Sequence, residues 1–234
     1  MDNKIVIGIH QPNFAPWIGY FYKIYHSDIF IFLDDVQIQK TGASYCNRVS
    51  ICVNGKSQYL TIPIKRERSK MAINGTIFLN DKWRIKTIKT LQANYAKAPF
   101  FKENFKFFSE LIMFKTNCLS EFNTHFIMSL CRRLNINTTF KFSSDFKLIE
   151  TSTDRLIKLI KLVDGNVYLS GGGGDNYQEL SKFKSENIHL IYNVLPSIEY
   201  PQLKTENFIN GLSIIDVLFN LGLEETSKII KIKI

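Results

Sequence analysis

Three stretches of the chain have residue types placed where chemistry could be done: His10-Gln11-Pro12-Asn13, Asp34-Asp35 and Ser170-Gly171-Gly172-Gly173-Gly174, each after a short apolar run. Imidazole titrates near neutrality, so His10 is a candidate general base, or a hydrogen-bonding partner for a ligand phosphate or hydroxyl. A carboxylate beside it, Asp34, would hold its tautomer, and these two are the candidate catalytic residues. If residues 34 and 35 are both extended, their side chains point to opposite faces. Only one then reaches the site, and Asp35 is left to cap, to contact substrate or to hold a metal. The glycines let backbone approach a phosphate at a helix N-terminus. Ser170, Gly171, Gly172, Gly173 and Tyr177 therefore form a second candidate binding element, although a structural turn explains the glycines equally well. Gln11, Asn13, Gln37 and Asn47 suit sugar hydroxyls or amides, and Arg48 can fork onto phosphate or carboxylate. Trp17 and Tyr20 offer ring faces for a sugar or base, or simply pack a short helix. No complete set of metal ligands is present.

For these groups to meet, particular elements must carry them. Ile5, Val6, Ile7 and Ile9 read as a strand buried on both faces, ended by Pro12. A short helix over 17–26 follows Pro16, and a second strand over 29–33 stops at Asp34. Such a βαβ unit makes its strands parallel, so their carboxyl ends share the edge where open α/β sheets bind ligands. Next come strands over 49–53 and 58–64 joined by Asn54-Gly55, a hairpin signal. The charged run over 65–70 reads as a solvated loop or a phosphate-binding flap, and residues 77–79 as a short strand. Helices follow over 82–95 with Asp81 as cap, over 100–114, and from Ser120 to 134, a helical subdomain over about 81–134. Strands over 140–142, 166–169 and 188–192 alternate with helices starting near 152 and 176. Ser213 and Asp216 read as a capping box for a last helix that stops before Gly222. The expected fold is α/β: one domain over 1–234, a mostly parallel, Rossmann-like sheet covered by helices, with a helical insertion.

The stretch HQPNFAPWIGYFYKIYHSDIFIFLDDVQIQK from His10 to Lys40 resembles the opening signature of the WbqC-like family, proteins associated with bacterial O-antigen and surface-polysaccharide gene clusters. The likeness continues through Asn47-Arg48, residues 95–101 (YAKAPFF), Ser143-Ser144, Asp154-Arg155-Leu156, Tyr168-Leu169-Ser170-Gly171, Tyr200-Pro201-Gln202 and Ser213-Ile214-Ile215-Asp216. Ala15 stands where a larger apolar residue is expected, and Tyr45-Cys46 is a departure before Asn47. The resemblance implies a role in making or decorating a polysaccharide sugar.

Thirty Lys and Arg against twenty-one Asp and Glu leave a formal charge of +9. Anionic sugar nucleotides or an acidic acyl carrier protein would answer that charge, as would a plain AT-rich codon bias. No nucleic-acid motif is present. No apolar run suits a membrane span or a signal peptide, so the expected location is cytoplasmic. Cys46, Cys52, Cys118 and Cys131 lack metal spacing and are expected free and dispensable. With the resemblance, the expected activity is transfer of an acyl or aminoacyl group to the amine of a nucleotide-linked amino sugar. The cofactor this suggests is the phosphopantetheine thioester of a carrier protein. Alternatives are a degenerate nucleotidylyltransferase or ATP-dependent ligase, in which Pro16-Trp17-Ile18-Gly19-Tyr20 echoes an HxGH loop with aromatics in place of both histidines, or a non-catalytic nucleotide-sugar-binding subunit.

Overall fold

The computed structural model describes residues 4–38, 44–65, 71–171 and 179–233. Gly172, Gly173, Tyr177 and most of the charged run after Lys65 lie outside them. The first apolar run forms β1 (Val6–His10), followed by α1 (Ile18–Tyr25) and β2 (Ile29–Phe32). The hairpin is β3 (Arg48–Val53) and β4 (Lys56–Thr61). Asn54 (φ 48) and Gly55 (φ 76) both adopt left-handed backbone, as a tight two-residue turn of the primed type requires. Helices α2 (Lys82–Tyr95), α3 (Phe101–Ile112) and α4 (Leu119–Arg133) precede β5 (Thr139–Phe142). The chain closes with α5 (Ser152–Lys161), β6 (Val167–Gly171), α6 (Leu180–Ser185), β7 (His189–Asn193) and α7 (Ile214–Ile230).

Five strands form one sheet in the order β5-β2-β1-β6-β7, and every neighbouring pair is parallel. Counted along the main sheet alone, this is the order 3-2-1-4-5. The sheet's sense reverses between β1 and β6, the crevice where open α/β sheets take ligands. The hairpin and α2 to α4 are inserted together between β2 and β5, and β3-β4 forms a separate antiparallel ribbon. Alternation along the strands divides the core. Phe30 and Phe32 face α1, α4 and α7, whereas Ile7, Ile9 and Ile31 pack with α5 and α6.

Several element ends differ from expectation. Asp81 does not cap α2: Asn80 Oδ1 accepts from Lys82 N at 3.0 Å, while Asp81 pairs with Arg84. α4 starts before Ser120, and Thr116 Oγ1 accepts from Cys118 N at 3.0 Å. Residues 77–79 make only isolated bridges, to Cys118 and Ile64. The helix expected near 176 is first described from Leu180. Gly222 does end the first part of α7, at φ 76, but a second helical part continues to Ile230. A Cβ at Gly222 would lie 2.6 Å from the Phe100 ring, so the ring's approach also requires glycine.

The capping box is half formed. Ser213 Oγ accepts from Ile215 N at 3.2 Å, but Asp216 turns away from it. Its buried carboxyl accepts from the Tyr95 hydroxyl at 2.7 Å, the Tyr200 hydroxyl at 2.8 Å and Asn220 Nδ2 at 3.2 Å. The Tyr95 hydroxyl in turn accepts from Cys52 N at 2.8 Å. One carboxyl thus joins β3, α2, the loop before α7 and α7 itself. Burial raises its pKa, and the bonds from Tyr95, Tyr200 and Asn220 act against that rise. No described helix is long and apolar enough to cross a membrane.

Candidate active site

The carboxyl edge gathers His10, Asp34 and Ser170-Gly171, as the strand order requires. His10 is opposite Phe32 in the β1-β2 register, and its carbonyl accepts from Leu33 N at 2.8 Å. Pairing between β1 and β6 stops at Gly8 and Leu169, so the strands part beyond that point. A Cβ built on Gly171 would meet no atom of the described residues within 4 Å. Ser170 is buried.

The His10 ring is partly exposed and stands edge-on to Tyr20, with centroids 4.9 Å apart. Its Nδ1 lies 3.1 Å from the Gln11 carbonyl oxygen. A carbonyl can only accept, so the neutral ring carries its proton on Nδ1 and keeps a lone pair on Nε2. Burial pushes the imidazole down to about 4, the Lys23 charge pushes the same way, and the bond to Gln11 opposes them. The ring is therefore neutral at pH 7, and the expectation of a group titrating near neutrality is corrected.

Asp34 does not orient His10. Its carboxylate is buried and accepts from Ser143 Oγ at 3.1 Å, Ser144 N at 3.0 Å, Ser144 Oγ at 2.8 Å and Asn74 Nδ2 at 3.5 Å. Asp35 accepts from the same Ser143 hydroxyl and pairs with Arg155 of α5. The two side chains do lean to different elements, yet both are held, and the serine hydroxyl has one proton for two carboxylates. These bonds pin the end of β2 to the turn after β5. Among the described residues no group of three His, Cys, Asp or Glu side chains could hold a metal ion.

The other expected contacts divide in the same way. Tyr20 is buried and its hydroxyl donates to the Gln11 carbonyl at 2.8 Å, so its ring is not a platform for ligand. Asn13 is buried against the Cys46 thiol, and Asn47 Nδ2 donates to the Ile62 carbonyl at 3.1 Å; both build the loop and hairpin. Gln11 remains partly exposed, with Oε1 accepting from Cys46 Sγ at 3.5 Å. Arg48 lays its guanidinium over the Tyr59 ring, 4.3 Å from the centroid, and leaves Nε buried without a partner. Gln37 is exposed and its backbone bridges Ala72, on the inserted part of the chain. Trp17 is 41% exposed and, with Asn193, Tyr200 and Phe208, lines a groove of about 590 Å³ beside the end of β7. Its indole also covers Gly19, where a Cβ would come within 2.1 Å of it. Burial pushes the Cys46 thiol up to about 12, which removes it as a nucleophile.

Lys23 is the residue that pattern reading missed. It is buried on α1, and its ammonium donates to the Ile9 carbonyl at 2.7 Å, with the Tyr168 ring of β6 at 5.8 Å. No described carboxylate pairs with it, and burial lowers its pKa to about 7. The signal was present in α1 itself, IGYFYKIY, whose single charge sits in a helix apolar on every side.

Residues 11–228 match the model of the WbqC-like protein family. The Uncharacterized protein Rv1507c of Mycobacterium tuberculosis (strain ATCC 25618 / H37Rv) is 29% identical over 221 residues, spanning 93% of this chain and 94% of its own. No solved structure matches the chain significantly. With the family model running from the loop after β1 into the last turns of α7, the chain belongs to the WbqC-like protein family.

Proposed function

We propose that the protein is a transferase of surface-polysaccharide biosynthesis, moving an acyl or aminoacyl group onto the amine of a nucleotide-linked amino sugar. The observation that carries the reading is a partly exposed imidazole whose Nδ1 is engaged by the Gln11 carbonyl, which assigns the lone pair to Nε2, at the edge where the β1 and β6 strands part. The sugar nucleotide occupies this crevice, its phosphates drawn toward the Lys23 side and its ring toward Trp17. The sugar amine attacks the thioester carbonyl carbon of a carrier-borne donor. The new C–N bond forms, the C–S bond breaks, the amine proton passes to His10 Nε2 and then to the departing thiolate. A bound diphosphate raises the basicity of His10 by opposite charge, bringing it closer to what proton transfer at pH 7 requires. Asp34 and Asp35 act by holding the strand end in place.

A nucleotidylyltransferase reading has one observation in its favour, the position of Pro16-Trp17-Ile18-Gly19-Tyr20 at the start of α1 directly after β1. With Trp17 folded over Gly19 and Tyr20 bonded to Gln11, that loop supplies ring surface and no phosphate-activating imidazole.

The test is thermal-shift titration with nucleoside-diphosphate amino sugars and with ATP, followed by mass-spectrometric search for the amide using carrier-bound thioesters. Amino sugar nucleotides should raise the melting temperature and be acylated, and His10→Asn should cut turnover by about 10²-fold or more. Normal turnover by His10→Asn would make the imidazole structural. A shift with ATP alone would favour the ligase reading, and binding without product the non-catalytic one.

A further inference from the structure

The stretch from Lys82 to Lys102 holds six basic residues, Lys82, Arg84, Lys86, Lys89, Lys97 and Lys102, and no acidic one. Arg84 is turned inward and engaged, donating to Asp81, to the Ile112 carbonyl at 2.6 Å and to the Thr116 carbonyl at 2.7 Å. The five lysines are exposed, and among the described residues none is in an ion pair. Other lysines, Lys56 and Lys115 among them, are also outside the described ion pairs, but four on other helices are paired. Lys106 faces Glu110, Lys161 faces Glu186, Lys182 faces Asp154 and Glu179, and Lys228 faces Glu224 and Glu225.

The arrangement on α2 works against the helix. Lys82 to Lys86 and Lys86 to Lys89 are neighbours on one face and repel. Lys82 also places a positive charge in the first turn, where the helix dipole disfavours it, and that turn has no acid. Ile85, 50% exposed, lies among them on a shallow trough lined further by Thr90, Ala93 and Asn94. An apolar centre inside a ring of cations that lack internal partners is the complement of an apolar side chain inside a ring of carboxylates.

The opposite face of α2 leads to the candidate active site. Trp83 stands edge-on to Phe14, with centroids 6.2 Å apart, and Phe14 belongs to the loop leaving His10. A partner seated on the exposed face is separated from that loop by about one helix diameter, roughly 10–12 Å. We propose that the exposed face of α2 is the docking surface for an acidic carrier protein, which presents its thioester arm to the β1 edge. This rests on the thioester reading of the function. Nucleic acid fits less well, because the exposed cations are all lysines and the single arginine is buried. A membrane surface fits less well, because the helix's large apolar residues other than Ile85 point inward.

The experiment titrates fluorescently labelled holo-acyl carrier protein into the whole protein and into folded variants with unchanged circular dichroism and melting behaviour. The triple variant Lys82→Glu, Lys86→Glu, Lys89→Glu should weaken binding by about tenfold or more, and Ile85→Asp should weaken it too. Lys56→Glu and Lys115→Glu, exposed lysines on other elements, should change it little. Parallel titrations use a single-stranded oligonucleotide and phosphatidylcholine vesicles containing phosphatidylglycerol. The proposal is overturned if carrier protein does not bind, if the triple variant binds it normally, or if Ile85→Asp is silent. Tighter binding of oligonucleotide or vesicles through the same lysines would reassign the surface. Thermal shifts by amino sugar nucleotides should be unaltered in the α2 variants. Normal carrier binding by the triple variant with those shifts intact rejects this surface alone, whereas absence of shifts in the unsubstituted protein rejects the underlying function.

Discussion

The ends of β1 and β2 are hydrogen-bonded neighbours that both finish in polar residues, yet they are used in opposite ways. At the end of β2 the Asp34 carboxylate accepts from Ser144 N, Ser144 Oγ and Asn74 Nδ2 and shares the Ser143 hydroxyl proton with Asp35, which Arg155 also engages. At the end of β1, among the described residues, the His10 ring makes one hydrogen bond, through Nδ1, and the Lys23 ammonium has a single carbonyl acceptor. Polar capacity consumed within the protein stabilises the edge, because a buried carboxylate without donors would be costly. Polar capacity left over beside an open crevice is what a ligand can use. Residue type alone pointed to both ends equally; the count of partners separates them.

The largest effect expected from breaking this contrast is at Asp34. Asp34→Ala strands the donors of Ser143, Ser144 and Asn74 and should cost about 3 kcal/mol, lowering the melting temperature by roughly 6–12 °C. A melting curve at neutral pH checks it, and an unchanged curve would mean the strand end is held by other contacts. Lys23→Met should move stability the other way, by about 1–2 kcal/mol, because it removes a buried charge that lacks an anion. The same variant should bind amino sugar nucleotides less well, which separates a stabilising substitution from a functionally neutral one.

His10→Asn should change stability little at pH 7 and reveal itself on acidification. The folded protein holds the imidazole near 4 against an ordinary 6.5, so the unfolded chain binds the extra proton first. Stability contributed by the neutral ring is therefore complete above about pH 6.5 and is lost as pH falls toward 4. Melting temperatures of the two proteins, close at pH 7, should separate in favour of the variant over that interval. A constant difference would show that the ring titrates normally. The smallest effect is at Cys46, directly under the same loop. Cys46→Ala should leave turnover essentially intact, since the thiol is held protonated, and its loss would point to covalent catalysis instead.

Much of the architecture was legible from local signals. The apolar runs at residues 5–9 and 29–33, Pro12 and the Asn54-Gly55 turn correspond to β1, β2 and the hairpin with small shifts at the ends. These are signals that one segment carries by itself. What could not be read was which distant group each polar residue would meet. Asp34 finds its serines 109 and 110 positions later, and Asp216, suited locally to a capping box, is captured by Tyr95 from 121 positions away. Local spacing describes what a side chain could bond, whereas tertiary packing decides what it does bond. Lys23 illustrates the reverse case: its burial was implied by its apolar helix, but lysine on a short helix is ordinarily solvated.

The Asp216 junction has a consequence for how the molecule is assembled. The hairpin and α2 receive their shared anchor from a residue far down the chain, so during synthesis they exist for a long interval without it. Until α7 arrives, the Tyr95 hydroxyl lacks its Asp216 acceptor and the ribbon lacks this anchor. Closing a loop of that length must precede the reward, which slows folding and leaves apolar ribbon and helix faces open in the meantime. Nascent chains of this protein are accordingly expected to engage holding chaperones between emergence of α2 and emergence of α7. Asp216→Asn, which preserves the shape of the junction, should lengthen that dependence before it alters the finished fold.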